Sequence, residues 1–350
     1  MPFANAQNAQ NAQNAQNAQN AQNAQAELVH AGQGSSSRLS AALDAVGIAL
    51  PGQVPATAIA QGIPSPDPAA ALRRLNARHR QTLLVEELVA GIVVAEAEGT
   101  ARVTTATPAG EVSLTSPFHG LEGDDLEGAA QQALAGVMAR RWLRAERMNE
   151  ILEQQSDLMS FLALAHPISA ATHPMTMALL SAIHGAAERI AVQAKAVLSV
   201  PRPADLSSAV APVIHTPSHS AAPSGHASEA FTLAFAMEAL IFGGASRELR
   251  LIAARIEENR VVAGVHYEHD GFMGRKLAAL LAPVFAVRMG LEPTAPEPDR
   301  IWHRSGEDGV LTSGQSGQPG RPARVQTQAP DAGDGRVALL TRMALAEIGG

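Results

Sequence analysis

From Asp124 to Met289 the apolar residues of this chain recur at helical spacing, and the pattern breaks where prolines cluster. That constrains the fold more than any other feature, because such stripes must bury their apolar faces against one another. Asp124 or Asp125 caps a helix running through Ala130, Leu134 and Val137 to Trp142. Met148 to Ala165 continues it or forms a second helix, ending before His166 and Pro167. Pro174 opens the next, with Met177, Leu180, Ile183, Ala187, Ile190 and Ala194 on one face and Lys195 near its end. Five prolines between Pro201 and Pro223 mark a loop, and helices are expected over Ser224–Phe242, Ser246–Val265 and Gly271–Met289. Upstream, Asp67 and Pro68 start a stripe from Leu72 through Leu75, Leu83 and Leu88 to Ile92. Ala101 to Pro117 alternates around Pro108-Ala109-Gly110, which predicts a small hairpin. The expected class is all-α, a helical bundle with one small β-hairpin, and the scarcity of aromatics (3%) suits closely packed helices.

The flanks have another character. Residues 5–25 are seven copies of Asn-Ala-Gln, whose three-residue period fits neither a helix face nor a strand. The expected organisation is a disordered arm over 1–37, a Pro-rich irregular arm over 38–66 and a helical catalytic domain over 67–303. A Gly/Pro/Ser/Gln-rich linker over 304–336 and a short amphipathic helix over 337–350 follow. A formal charge of −7 argues against nucleic acid as a partner. The absence of cysteine excludes disulfides and thiolate metal sites. The first residues lack the pattern of a secretory signal, and no apolar run approaches the roughly 20 residues that span a bilayer. A soluble, cytoplasmic protein without a transmembrane segment is expected. Alanine-rich helices poor in bulky groups suggest that a second copy completes some apolar faces, as a homodimer.

Within this bundle one stretch carries chemistry. Lys195, Arg202 and Arg260 are three cations within it; Ser224, Gly225 and His226 sit at a loop-to-helix junction; His266 precedes Asp270 by one helical turn. Three cations brought together between helices would be costly to bury without an anion. A guest with several oxygens removes that cost by accepting charge-assisted hydrogen bonds. The Gly225 N–H, at a helix N-terminus, adds a donor where anions are favoured, and Ser224 adds a hydroxyl.

The order and spacing of these residues resemble the three-part signature of the type 2 phosphatidic acid phosphatase and vanadium haloperoxidase superfamily. Lys195, Arg202 and Pro203 match its K-x6-RP part, and Pro223 to His226 match PSGH. Arg260, His266 and Asp270 match the third part, with Asn259 where the family usually has serine. The resemblance implies a helical fold and an oxyanion site, for phosphate or vanadate, made by Lys195, Arg202, Ser224, Gly225 and Arg260. It implies His266 as the axial group, a nucleophile towards phosphorus or the vanadate ligand. Asp270 would fix the tautomer of His266, and His226 would be the general acid and base on the opposite side.

The signature is shared by two activities. The absence of spanning segments leans away from the superfamily's lipid phosphatases, which are multi-spanning. His219, seven residues before His226, is similar in placement to a histidine of vanadium bromoperoxidases near halide and peroxide. Arg255–Arg275 also looks like soluble bacterial haloperoxidase-like members. The expectation is therefore a vanadate-dependent haloperoxidase acting on hydrogen peroxide, a halide (bromide favoured) and an organic acceptor. The alternative is a soluble acid phosphatase acting on phosphoesters through a phosphohistidine, which needs no cofactor. A non-catalytic oxyanion-binding scaffold is the third class, though it would need neither axial histidine. His166, His173, His184, His215 and His303 match no motif position and are read as core or loop residues.

Overall fold

In the computed structural model, helices dominate residues 67–105, 110–296, 304–305, 311–312 and 335–349, the residues it describes. The Asn-Ala-Gln tract, the Pro-rich arm, Pro108 and Ala109 of the expected hairpin turn, His303 and most of the expected linker lie outside them. The described elements fall within a unit that starts at Asp67.

Asp67 starts α1 (Pro68–Arg74) as read, its Oδ1 accepting from Ala69 N at 2.9 Å. The stripe expected to run unbroken to Ile92 is instead two helices and a strand. The extended backbone of Leu75 and Asn76 ends α1, and the Asn76 side chain caps α2 (Ala77–Val89). Gly91, at φ 71°, then turns the chain into β1 (Ile92–Ala97), so Ile92 belongs to a sheet. Antiparallel to β1 runs β2 (Thr100–Thr105), and antiparallel to that β3 (Glu111–Thr115). The expected hairpin is thus the β2–β3 half of a three-stranded sheet, with Val103 opposite Val112 and Ala101 opposite Leu114. Ala101, Val103 and Leu114 are buried, and β2 and β3 pack against the bundle.

After the sheet come α3 (Gly123–Met138), α4 (Arg144–Glu153), α5 (Met159–Leu162) and α6 (Pro174–Leu198). Next are a short α7 (Pro203–Leu206), α8 (Gly225–Met237), α9 (Arg247–Val262), α10 (Glu268–Met289) and α11 (Arg336–Ile348). A two-residue ladder, β4 (Arg304–Ser305) with β5 (Leu311–Thr312), precedes α11.

The bundle is built round α8, whose residues Ala227 to Met237 are all buried, with α6, α9 and α10 packed against it. A helix apolar on every side belongs at the centre of a core. The approach of α10 is set by Gly274. A Cβ there would lie 2.8 Å from Ala227 Cβ and 2.9 Å from the Ser224 carbonyl oxygen. α11 packs its buried face (Val337, Leu340, Ala344) on α6 and α2. Among the described residues no helix is long and apolar enough to cross a membrane.

Candidate active site

Where α6 ends, α8 begins and α9 gives way to α10, the helices enclose a cavity of about 610 Å³. Lys195, Arg202, His219, Gly225, His226, Arg260 and His266 all line it, so residues scattered over three sequence segments share one cavity. Asp270 stands behind His266. Ser224 is placed differently from the expectation: it does not line the cavity, and its hydroxyl caps α8 by accepting from Ala227 N at 3.4 Å.

Each cation is held by backbone carbonyls. Lys195, in the last turn of α6, donates from Nζ to Ser220 O (2.9 Å) and Ala221 O (3.1 Å), leaving a third N–H for a guest. Burial is the main cause that brings its pKa down to about 7, with nearby Arg202 adding to it. Arg202 ties two loops together. Its Nε donates to His219 O at 3.1 Å, its Nη1 to Val265 O at 2.7 Å and its Nη2 to Ser220 O at 3.3 Å. His219 Nδ1 lies 3.1 Å from the same Nη2.

Arg260, buried near the end of α9, is the least satisfied of the three. Its Nη2 donates to Ile151 O (3.1 Å) and Gln154 Oε1 (3.2 Å), whereas Nε and Nη1 have no partner. Burial brings its pKa to about 10, so it remains charged at neutral pH.

Gln154, which no motif singles out, connects the site. Its Oε1 accepts from Arg260 and from Asn259 Nδ2 (3.0 Å), and its backbone carbonyl accepts from His226 Nε2 (2.9 Å). Those donors fix the orientation of the amide and leave its Nε2 buried without an acceptor. Asn259 also donates to Glu150 Oε2 at 2.9 Å and accepts from Arg147 Nη1 at 3.3 Å. The residue that departs from the family pattern therefore braces α9 against α4 beside Arg260.

His266 Nδ1 is 3.0 Å from Asp270 Oδ2, which also accepts from Tyr267 N at 2.9 Å and so caps α10. Burial would raise the Asp270 carboxyl, but the hydrogen bond with His266 and the nearness of His269 outweigh it and hold it well below the usual range. The other carboxylate oxygen, though 3.1 Å from His269 Nε2, is misaligned for a hydrogen bond. An ionised Asp270 keeps the proton of His266 on Nδ1 and leaves a lone pair on Nε2, towards which Arg202 Nη1 points at 3.1 Å. Burial lowers His266 to about 3, against the upward pull of Asp270, so this imidazole is neutral. Burial and the charge of Arg260 likewise bring His226 to about 4.

Besides Gln154, two further cavity residues were missed in the sequence. Glu229 is buried on α8, and His184, read as an ordinary core residue, lines the cavity with it; the two are 3.2 Å apart. Their signal lies only in phase: Glu229 follows His226 by one helical turn, and His184 shares a face of α6 with Lys195. His215 also lines the cavity.

Three buried donors with no acceptor, Arg260 Nε, Arg260 Nη1 and Gln154 Nε2, thus belong to residues that line the cavity with Lys195 and the start of α8. A donor set of this kind fits an oxyanion such as phosphate or vanadate, and His266 Nε2 carries a lone pair beside it, with Arg202 Nη1 at 3.1 Å. Residues 170–291 match the family model described as PAP2 superfamily. No curated protein matches the chain.

Proposed function

With residues 170–291 a PAP2 superfamily domain, we propose that the chain is a vanadate-dependent haloperoxidase oxidising bromide with hydrogen peroxide. The observation that carries an oxyanion-centred enzyme is the orphaned donor set of Arg260 and Gln154, residues that line one cavity with a neutral His266. His219 on Arg202, inside the same cavity, favours halide oxidation over ester cleavage, because it adds an imidazole near the guest that hydrolysis does not need.

Lys195, Arg202, Arg260 and the Gly225 N–H would hold the vanadate oxygens, and His266 Nε2 would ligate the metal. Bound there, vanadate supplies a Lewis-acidic centre that activates peroxide towards halide. The chain's own residues supply the rest. Asp270 holds His266 in the Nδ1–H tautomer, and the cations hold the negative charge of the guest. His226 donates Nε2–H to Gln154 O and so keeps Nδ1 free to accept and return a proton. The apolar side chains of Leu158, Leu180 and Leu233 line the same cavity and offer room for an organic acceptor.

Acid phosphatase is the second reading, favoured by the neutral, Asp-backed Nε2 of His266. That atom would attack phosphorus and hold the phosphoryl group while water replaces the alcohol. One assay pair separates the two. The haloperoxidase predicts peroxide-dependent bromination of phenol red only after vanadate is added, and no bromination at saturating vanadate rejects it. The phosphatase predicts hydrolysis of an aryl phosphate inhibited by vanadate, with phosphate trapped on His266.

A further inference from the structure

The cavity contains an imidazole–carboxylate pair that this reading does not use. His184 Nε2 and Glu229 Oε2 are 3.2 Å apart, joining α6 to α8. Glu229 is 9% exposed, and its Oε1 lies over the start of α8, 3.2 Å from where a Gly225 side chain would begin. His184 keeps 39% of its side chain exposed. The pair therefore runs from solvent to the residues that face the guest.

A carboxylate beside an anion site weakens anion binding, so its presence there calls for another role. The charged groups that act on the pair are Glu188 and Lys195 from α6 and His226 from α8, and Asp157, Arg202, His215, His219, Arg260 and His266 line the same cavity. The hydrogen bond to Glu229 raises His184 above the ordinary histidine value, burial opposes it, and Glu188 adds to the rise. Burial lowers His219, His226 and His266 instead. Of these four imidazoles His184 is the one whose surroundings favour the charged form, and His226 is the one whose proposed role needs a proton.

We propose that His184 and Glu229 are the proton inlet of the site, charging His226 for each turnover; this rests on the acid–base role proposed for His226. Glu229, one helical turn after His226, interacts electrostatically with both histidines. One proton moves from His184 Nε2 to Glu229, and one moves from Glu229 to His226 Nδ1. His184 ends neutral, His226 ends cationic and Glu229 is unchanged; no electrons are transferred, and His184 regains its proton from water. Bromide oxidation (hydrogen peroxide, bromide and one proton giving hypobromous acid and water) consumes that proton. In ester cleavage it goes to the leaving alkoxide oxygen as the P–O bond breaks.

The test uses the full chain and two variants, Glu229→Gln and His184→Ala, assayed for both activities across about pH 5 to 8. At neutral pH kcat should fall about tenfold or more in each, with KM little changed, and the deficit should shrink at low pH, where solvent supplies the proton. Added imidazole should restore His184→Ala in proportion to the imidazolium present, an effect a merely structural role would not give. Variant profiles that superimpose on the wild type, or a failure of imidazole to rescue, overturn the inlet. If the wild type has neither activity, the functional reading fails separately, and NMR titration of His184 decides the inlet alone. A proton held near neutral pH that Glu229→Gln releases supports it, and a His184 already neutral there overturns it.

Discussion

Arg260 shows what the site asks of a single residue. It is 1% exposed, with two guanidinium nitrogens unmatched, an arrangement that costs stability until an anion arrives. Replacing it with methionine should leave the anion-free protein at least as resistant to heat. Affinity for phosphate should fall about 10- to 100-fold for each charged hydrogen bond lost. Thermal melts with and without phosphate check both halves, and a variant that melts early yet binds normally would contradict them. Lys195 gives a pH signature. With its pKa near 7 in the free protein, it is cationic below that pH and neutral above. A bound anion raises that pKa, so binding takes up a proton above pH 7. Affinity for sulfate, which does not itself titrate there, should hold steady below about pH 7 and fall towards tenfold per unit above it, and Lys195→Met should flatten the profile. These residues were legible because their order and spacing along the chain form one three-part signature, although each alone is ordinary. Gln154 and Glu229 were not, because an amide or carboxylate near a helix end is ordinary until its neighbours in space are known.

At the scale of elements, the period of the apolar residues gave the long helices well, since α6, α8, α9 and α10 bury faces set by the sequence itself. It misled at Ile92, where an apolar residue in helical phase enters a strand because Gly91 and the β2 partner outweigh the local pattern. Nor could it give the crossing of α8 and α10, which turns on the missing side chain of Gly274. Gly274→Ala would push α10 away from Ser224 and Ala227, the turn that presents Gly225 and His226. Overpacking of this sort costs about 1–3 kcal/mol. The added methyl acts next to the first turn of α8, so phosphate affinity should fall as well. A variant that loses stability but keeps its affinity would mean that the crossing supports the fold and not the site.

For the whole molecule, the relevant feature is how a segment distant in sequence holds the site's longest helix. Glu87 of α2 accepts from Arg336 N (3.0 Å) and Val337 N (2.9 Å), capping α11. At its other end α11 returns the interaction: Glu347 accepts from Met175 N (2.8 Å) and Thr176 N (2.9 Å), capping α6. A carboxylate at a helix N-terminus satisfies free N–H groups and meets the positive end of the dipole, and each loss costs about 1–2 kcal/mol. Sequence reading could not pair these residues, since a glutamate 172 positions from its N–H partner leaves no local trace. The two caps lie about 16 Å apart along α11, far enough for their energies to add if α11 unfolds together with the bundle. Glu87→Ala with Glu347→Ala should then cost about 2–4 kcal/mol in urea unfolding, the sum of the single changes. A double variant no less stable than the weaker single one would mean that α11 detaches first, because a cap on a detached helix has nothing left to lose. Lys195 lies at the far end of α6, about 30 Å from the Glu347 cap, so phosphate affinity should stay at the wild-type value while stability falls.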